Sequence, residues 1–574
     1  MPKVNITIDG KPIQAEAGST VLQAARAAGI DIPTLCDHPA LQPVGNCRMC
    51  LVEIERQRTL QAACVFPISE GMVVHTESPK VAVARRFVLE LILSDHAFYC
   101  MYCEMSGDCE LQKLAYRYGI DKVPYPYHYP WEPVDASREY FVFDPKRCIL
   151  CRRCVRACHE IVGNDTLGIK ARGFESRIIA DLDVPFGQSS CISCGTCLQV
   201  CPTGALTDRR SSYMGRATET AKTKSICAAC SIGCGIEVVT RTNNLIRIDG
   251  DWEAEVNHGL LCILGRFQQL DQKRERYLAP LIRRGGELRA ASWEEALGLV
   301  AKKLKQAAKG KMLGLVSPRA TNETLQRFRD LMQKLGSTNI GTFVGTFPEF
   351  PAGAKEGDLK DMLEADFILL AGSDLTKDHQ VVASFVKCAL AKGAHLVIVD
   401  DQENGLEEYA RFAFKPEETE KAVELGERAQ KAVVLYGSRA QEKTLKALGK
   451  LAGKAAFVKL IPGTNARGAY DLGFGSANAG AIQAALVWAS DDGAAISAGL
   501  LEALKKVDFV AVQAAYPSPL SDIADVILPA TIWAEKEGSL TSTTGRVQKM
   551  VKVLQACEGI MEDEAILQAL AERL

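Results

Sequence analysis

The segments CILCRRCVRACHE (148–160) and CISCGTCLQVCP (191–202) share one spacing, C-x2-C-x2-C-x3-C, and the second closes on Pro202. This run marks a unit holding two four-iron clusters, in which the fourth cysteine of each run serves the other cluster. On that pattern Cys148, Cys151, Cys154 and Cys201 form one ligand set, and Cys191, Cys194, Cys197 and Cys158 form another. Two independent zinc sites are the competing reading, but a crossed fourth cysteine followed by proline has no use in zinc geometry. The two halves of 140–208 therefore mirror each other, and a ferredoxin-like α+β unit is expected there.

Three further sets flank this unit. Upstream stand Cys36, Cys47, Cys50 and Cys64, a lone cysteine, a CxxC pair and a distant fourth. That arrangement encloses a two-iron cluster or a four-cysteine structural zinc. Ten residues separate the first two cysteines, against four in the plant-type spacing. Gly45 lets backbone amides approach the sulfurs. Next come Cys100, Cys103 and Cys109, which lack a fourth cysteine nearby; His96 completes H-x3-C-x2-C-x5-C. One imidazole and three thiolates suit a four-iron cluster or zinc. Downstream, Cys227, Cys230, Cys234 and Cys262 make C-x2-C-x3-C-x27-C, again open to either metal.

The count closes. The chain has 21 cysteines, and 19 lie between Cys36 and Cys262. With His96 they make five sets of four and leave none over. Cys388 and Cys557 then read as ordinary thiols, and His38, His75, His159 and His258 are not needed as ligands. Disulfides are disfavoured in a long chain that opens without the apolar core of a signal peptide and groups its cysteines at metal-ligand spacing. A zinc-stabilised scaffold would be colourless, whereas iron–sulfur sites are brown.

The 574 residues allow three to five domains. A net charge of −2 gives no reason to expect nucleic acid or an anionic membrane as partner. No apolar run approaches the ~20 residues of a membrane helix; the longest, 81–93, is broken by Arg85 and Arg86. A cytoplasmic protein without direct membrane insertion is expected, able to dock on the inner face of a membrane through partners. VNITIDGKPI reads as a hairpin turning at Asp9-Gly10, followed by a short helix with Ser19 as N-cap and Gly29 near its end. Residues 1–78 form one domain, 79–118 a helical cluster domain, and 119–139, rich in Pro and Tyr, a linker. Residues 140–210 form the two-cluster unit, with a polar loop after it. A cluster segment spans 220–275. From 276 to 574, runs such as 312–317, 366–372, 395–400, 432–437 and 508–513 alternate with amphipathic helices, which predicts a doubly wound α/β region with a parallel sheet covered on both faces. GFGSANAG (473–480) follows no clear strand and reads as a plain turn rather than a phosphate loop.

These sets, in this order, resemble the large iron–sulfur subunit of NADH:quinone oxidoreductase. They equally resemble the front half of NAD-linked formate dehydrogenase alpha subunits and of multimeric iron-only hydrogenases. SICAACSIGCGI, VNHGLLCILGRF and ADVILPATIWAEKEGSLTSTTGRVQ look like segments of the molybdopterin oxidoreductase fold. The resemblance implies an N-terminal [2Fe-2S] ferredoxin (β-grasp) domain, His96 as a cluster ligand, and one [2Fe-2S] with four [4Fe-4S] clusters. It implies electron transfer without a catalytic residue of its own, beside a flavoprotein subunit binding FMN and NADH and a small thioredoxin-like [2Fe-2S] subunit. Ferredoxin, quinone-module, hydrogenase or dehydrogenase subunits are further partners of such assemblies. Three departures bear on this. Both clusters of the two-cluster unit keep their ligands, where complex I subunits keep one. Cys262 is followed by Ile263 rather than the lysine of molybdenum enzymes. Neither Cys388 nor Cys557 sits in a molybdenum-ligating motif, and the hydrogenase active-site motifs are absent. A shortened α/β region without molybdopterin is therefore expected; a catalytic molybdenum subunit like formate dehydrogenase is the alternative.

Overall fold

The computed structural model describes residues 2–127, 133–270, 274–344, 347–349, 351–475, 477–478, 480, 482–492 and 496–574. They fall into two compact units, Met1–Ala221 and Lys222–Leu574.

The first unit opens with strands Lys3–Ile8 and Lys11–Glu16 in antiparallel register, Ile6 opposite Ile13. Asp9 (φ 48°) and Gly10 (φ 77°) make the turn, both in the left-handed region that a two-residue hairpin needs. Val73–His75 lies parallel to the first strand, then Leu51–Ile54 and Gln61–Ala62 complete a five-stranded sheet. Helix Val21–Ala27 packs Val21, Leu22, Ala24 and Ala25 onto that sheet. Its N-cap is Thr20, not Ser19. Thr20 holds extended backbone one residue before the helix, and its hydroxyl accepts the Gln23 N–H while Gln23 Oε1 accepts its own. Ser19 turns back to the Glu16 carbonyl instead.

Helix Pro79–Ser94 buries Val81, Arg85, Leu89 and Leu93, a stripe at four-residue intervals. Arg85, fully buried, is tolerated there because it donates to the Leu51 carbonyl, to Glu77 and to the Tyr118 hydroxyl. A cysteine-bearing loop leads to helix Glu110–Arg117. Of the Pro/Tyr-rich linker, Tyr125 and Tyr127 meet Phe87 and Phe98 edge-on; residues 128–132 lie outside the described residues. In 140–208, Phe141–Phe143 pairs antiparallel with Leu206–Asp208, closing the ends of the unit on each other. Between them lie the short helices Arg153–Arg156 and Thr196–Val200 and the hairpin Leu167–Lys170/Arg177–Ala180.

The second unit starts with a three-stranded sheet of Ala221–Ile226, Gly235–Arg241 and Asn244–Gly250. The polar stretch expected as loop thus ends in an edge strand, which buries only Ser225 fully. The expected parallel sheet is in fact two. One has seven strands in the order Glu287–Ala290, Leu281–Arg284, Val526–Pro529, Phe509–Ala514, Ala484–Ser490, Met312–Val316 and Ile340–Thr342, the last five parallel. The other is parallel throughout: Lys355–Glu356, Ala456–Leu460, Ala432–Gly437, Phe367–Ala371, His395–Val399 and Phe412–Phe414. Their central strands are buried along their whole length, as strands covered on both faces must be. Helices Trp293–Gln306 and Asn322–Lys334 cover the first sheet, capped by Ser292 and Thr321. Of GFGSANAG, 476 and 479 lie outside the described residues, and the element before it is helix Ala466–Asp471, not a strand. No described helix is long and apolar enough to cross a membrane.

Candidate metal centres

Each cysteine set sits on a loop built to turn backbone N–H groups toward sulfur. Cys36 and Cys47 exchange them: the Cys36 N–H lies 3.3 Å from Cys47 Sγ, and the Cys47 N–H 3.4 Å from Cys36 Sγ. Cys50 and Cys64 form the second pair. Without metal, each pair divides its protons unequally. The bond from Cys47 holds the Cys36 thiol down at about 6, and the bond from Cys50 lowers Cys64, while the same contacts and burial push Cys47 and Cys50 up. Arg48 (φ 58°), between Cys47 and Cys50, is held in the left-handed region. Such strain in a non-glycine residue persists only where the surroundings impose it.

One small cavity brings together His96, Cys100, Cys103 and Cys109, with Arg147, Gln112 and Gly204 in its wall. His96 is buried, and burial with the charge of Arg147 lowers its imidazole to about 4, so its ring is neutral at neutral pH. Its Nδ1 has no hydrogen-bond partner, a vacant lone pair or donor in a dry place. The Gln112 N–H points at Cys109 Sγ (3.5 Å). A Cβ on Gly204 would come within 3.1 Å of Cys103 Sγ, a tight approach that glycine avoids.

In the two-cluster unit the mirrored halves match in backbone detail. Leu150 (φ 52°) and Ser193 (φ 54°) stand two residues after Cys148 and Cys191; Arg152 (φ 62°) and Gly195 (φ 71°) stand four after. The Leu150 and Ser193 N–H groups each lie 3.4 Å from the sulfur two residues before. Burial pushes Cys154 far up, followed by the charges of Cys151, Cys148 and Cys201. Burial does the same to Cys197, followed by Cys194, Cys191 and Cys158. The fold thus brings Cys201 beside the first run and Cys158 beside the second. Cys148 and Cys158 are each raised to about 12, first by burial.

In the second unit, Cys227, Cys230, Cys234 and Cys262 also gather: Cys234 is driven up by burial and then by Cys227, Cys230 and Cys262. The Gly265 N–H donates to Cys262 Sγ (3.4 Å), and the Gln269 side chain to Cys227 Sγ (3.2 Å). Gln269 carried no signal in the sequence; it reads as one polar residue in a polar run. Cys388 is buried in helix Gln380–Ala391 and Cys557 is exposed.

The donor sets fit iron–sulfur clusters. A buried group of four thiolates without a cation is unfavourable, and burial accordingly raises thiols such as Cys109, Cys154, Cys197 and Cys234. Cationic iron removes that penalty, and the N–H groups aimed at sulfur supply the hydrogen bonds such clusters take. Among the described residues no three metal-binding side chains converge on an ion-sized point. An iron–sulfide core, several ångströms across, does not require them to.

Molybdopterin fits less well. In open parallel sheets ligands bind outside the carboxyl ends of the strands, where the strand order reverses. In the seven-stranded sheet that point lies between Met312–Val316 and Ala484–Ser490. There Arg319 pairs with Asp491 (3.4 Å) and Asp492 (3.8 Å), and the Ser317 hydroxyl donates to Asp492 (3.1 Å). In the six-stranded sheet it lies between Phe367–Ala371 and Ala432–Gly437. There Arg439 pairs with Asp400 (2.6 Å), and Gly372 presses against the backbone of Arg439 and Ala440. At each crevice a charged pair of the chain itself stands at the strand ends, Arg319 with Asp491 and Arg439 with Asp400.

Ferredoxin-like and molybdopterin oxidoreductase-like frames carrying clustered thiols define an iron–sulfur electron-transfer protein. Family models agree segment by segment: a 2Fe-2S iron-sulfur cluster binding domain over 1–79, the NADH-ubiquinone oxidoreductase-G iron-sulfur binding region over 85–124, and the ferredoxin-like domain of NADH-quinone oxidoreductase subunit 3 over 140–207. The molybdopterin oxidoreductase Fe4S4 domain matches 220–269, and molybdopterin oxidoreductase itself 276–573. The chain is 34% identical to a G-type NADH-quinone oxidoreductase subunit of Rhizobium meliloti, over 72% of its own length and 49% of the relative's. It is 30% identical to the mitochondrial NADH-ubiquinone oxidoreductase 78 kDa subunit of Neurospora crassa over 100% and 81%. It is 28% identical to the NADPH-Fe(3+) oxidoreductase subunit alpha of Geobacter sulfurreducens, over 100% and 81%. The chain belongs to the family of the large iron–sulfur subunits of NADH:quinone oxidoreductase.

Proposed function

We propose that the chain is the wiring subunit of a multisubunit NAD(P)H-linked oxidoreductase, relaying single electrons between a partner's FMN/NADH site and a downstream acceptor. In this reading Cys36, Cys47, Cys50 and Cys64 hold a [2Fe-2S] cluster. His96 with Cys100, Cys103 and Cys109 holds a [4Fe-4S] cluster. The two crossed sets of the 140–208 unit and the Cys227, Cys230, Cys234 and Cys262 set hold three more. The domains divide at 78/79, 118/119, 139/140, near 210–220 and at 275/276. Iron–sulfur centres supply one-electron chemistry over potentials of about −700 to +450 mV. The protein's part is to hold, desolvate and hydrogen-bond their ligands.

The observation that carries this is the closure of the ligand count, since 19 thiols and one imidazole make five complete sets with no cysteine before residue 263 left over. The proposed partners, which the family resemblance implies, are a flavoprotein binding FMN and NADH and a small thioredoxin-like [2Fe-2S] subunit; the relatives' names support a multisubunit NADH- or NADPH-linked oxidoreductase. Molybdopterin is left out of the reading because Ile263 stands after Cys262 where molybdenum enzymes carry a lysine, and neither Cys388 nor Cys557 sits in a molybdenum-ligating motif.

Metal and sulfide analysis of the anaerobically purified complex tests it. The expected result is about 18 irons from this chain's five clusters, with the partner's [2Fe-2S] irons in addition, matching sulfide and no molybdenum. Stoichiometric molybdenum would favour a catalytic subunit like that of formate dehydrogenase, and zinc in place of iron would reject electron transfer outright.

A further inference from the structure

We propose that Gln269 is a positioning residue that sets the reduction potential of the centre held by Cys227, Cys230, Cys234 and Cys262, by donating its side-chain N–H to the Cys227 sulfur. The inference rests on reading those four cysteines as the ligands of one cluster.

The amide is fixed at both ends. Its Nε2 lies 3.2 Å from Cys227 Sγ and 3.1 Å from the Gly265 carbonyl, and its Oε1 accepts the Ala228 N–H at 3.2 Å. Rotating it by half a turn would set N–H against N–H and oxygen against oxygen, so the network assigns the donor to sulfur. The chain returns to the site through the wide turn Leu264–Gln268, and the Gln269 N–H closes on the Leu264 carbonyl at 3.2 Å. Gly265 makes that close return feasible. A Cβ there would lie 3.0 Å from Cys227 Sγ.

A cluster gains negative charge on reduction, and much of it resides on sulfur. A donor aimed at a ligand sulfur therefore favours the reduced form and raises the potential. At Cys109, Cys148, Cys191 and Cys262 the donor is a backbone N–H, which substitution does not remove. At Cys227 an exchangeable side chain donates as well.

The test is an EPR-monitored redox titration of the intact complex, the relevant signal being the one that Cys227→Ser removes. Gln269→Leu keeps the bulk and drops the donor. It should shift this centre's reduction equilibrium about tenfold toward the oxidised form, ~59 mV downward for a one-electron couple. The other centres should hold their potentials. Gln269→Glu should fall further, because it adds negative charge, and the neighbour Gln268→Ala should not move. A fully loaded Gln269→Leu protein titrating at the unmodified potential would overturn the inference. If that variant fails to assemble, 15N-glutamine labelling of the unmodified protein decides: an altered nuclear modulation of this signal supports the bond, and an unaltered one refutes it. A preparation in which Cys227→Ser removes no signal sinks the cluster reading as well, an outcome distinct from a centre that is present but indifferent to residue 269.

Discussion

The two-cluster unit of 140–208 and the parallel sheets of the second unit solve the same problem by different means. The sheets bury aliphatic and aromatic side chains in continuous layers: Trp488, Phe328, Leu486 and Val526 in one, and Leu369, Val434 and Phe457 in the other. No cysteine belongs to those cores. In the two-cluster unit the core is Phe141, Phe143, Phe186, Leu167, Ile178, Leu206 and two alanines, and six cysteines, Cys148, Cys154, Cys158, Cys191, Cys197 and Cys201, belong to it or pack against it. A segment of about 70 residues rarely supplies enough apolar burial by itself. There cysteines make up a large share of the packing, and on the proposed function part of the unit's stability comes from the clusters they would hold.

Removing the metal should separate the two regions most sharply. After iron chelation of the intact protein, limited proteolysis should degrade 1–221 while fragments covering 276–573 persist. Equal resistance of both regions would break the comparison. The converse is Phe328→Ala, which empties the space between Trp488 and Phe474. It should destabilise the seven-stranded sheet by ~3–5 kcal/mol in chemical unfolding and leave iron content and visible absorbance unchanged. Loss of iron in that variant would show the regions are not independent. His96→Cys should keep the cluster and lower its midpoint potential, because a thiolate adds negative charge where a neutral imidazole stood; redox titration reads the shift, and a raised potential would count against His96 as ligand. The smallest effect belongs to Thr20→Ala. Losing one capping box should cost about 1 kcal/mol, seen as a slightly lower melting temperature of the N-terminal domain's visible band.

The iron–sulfur domains were legible because metal chemistry writes itself into cysteine spacing, and the hairpin at Asp9-Gly10 because turn chemistry does. The strands Ala456–Leu460 and Ala484–Ser490 were not, since a short, continuous apolar run reads equally well as buried helix. Nor was the division into two sheets: which strand pairs with which depends on contacts far apart in the chain. The left-handed backbone of Leu150, Arg152 and Ser193 left no trace, because nothing in a leucine, an arginine or a serine announces it. The choice of Thr20 over Ser19 turned on backbone angles that adjacent hydroxyl residues do not reveal. Gln269 was invisible for the plainest reason: its partner lies 42 residues away.

Asn46 stands next to Cys47, and its side chain donates to the Leu150 carbonyl at 2.8 Å, inside the Cys148–Cys151 loop. Arg156, between Cys154 and Cys158, donates to the carbonyls of Cys36 and Gln42, and Glu160 accepts the Gln42 N–H at 2.8 Å. The N-terminal cysteine loop and the loop of the two-cluster unit are stitched together at three places. Thermal motion therefore carries both loops together rather than apart. On the proposed function, where tunnelling decays steeply with each added fraction of an ångström, such a stitch would fix the gap between the two neighbouring cluster sites.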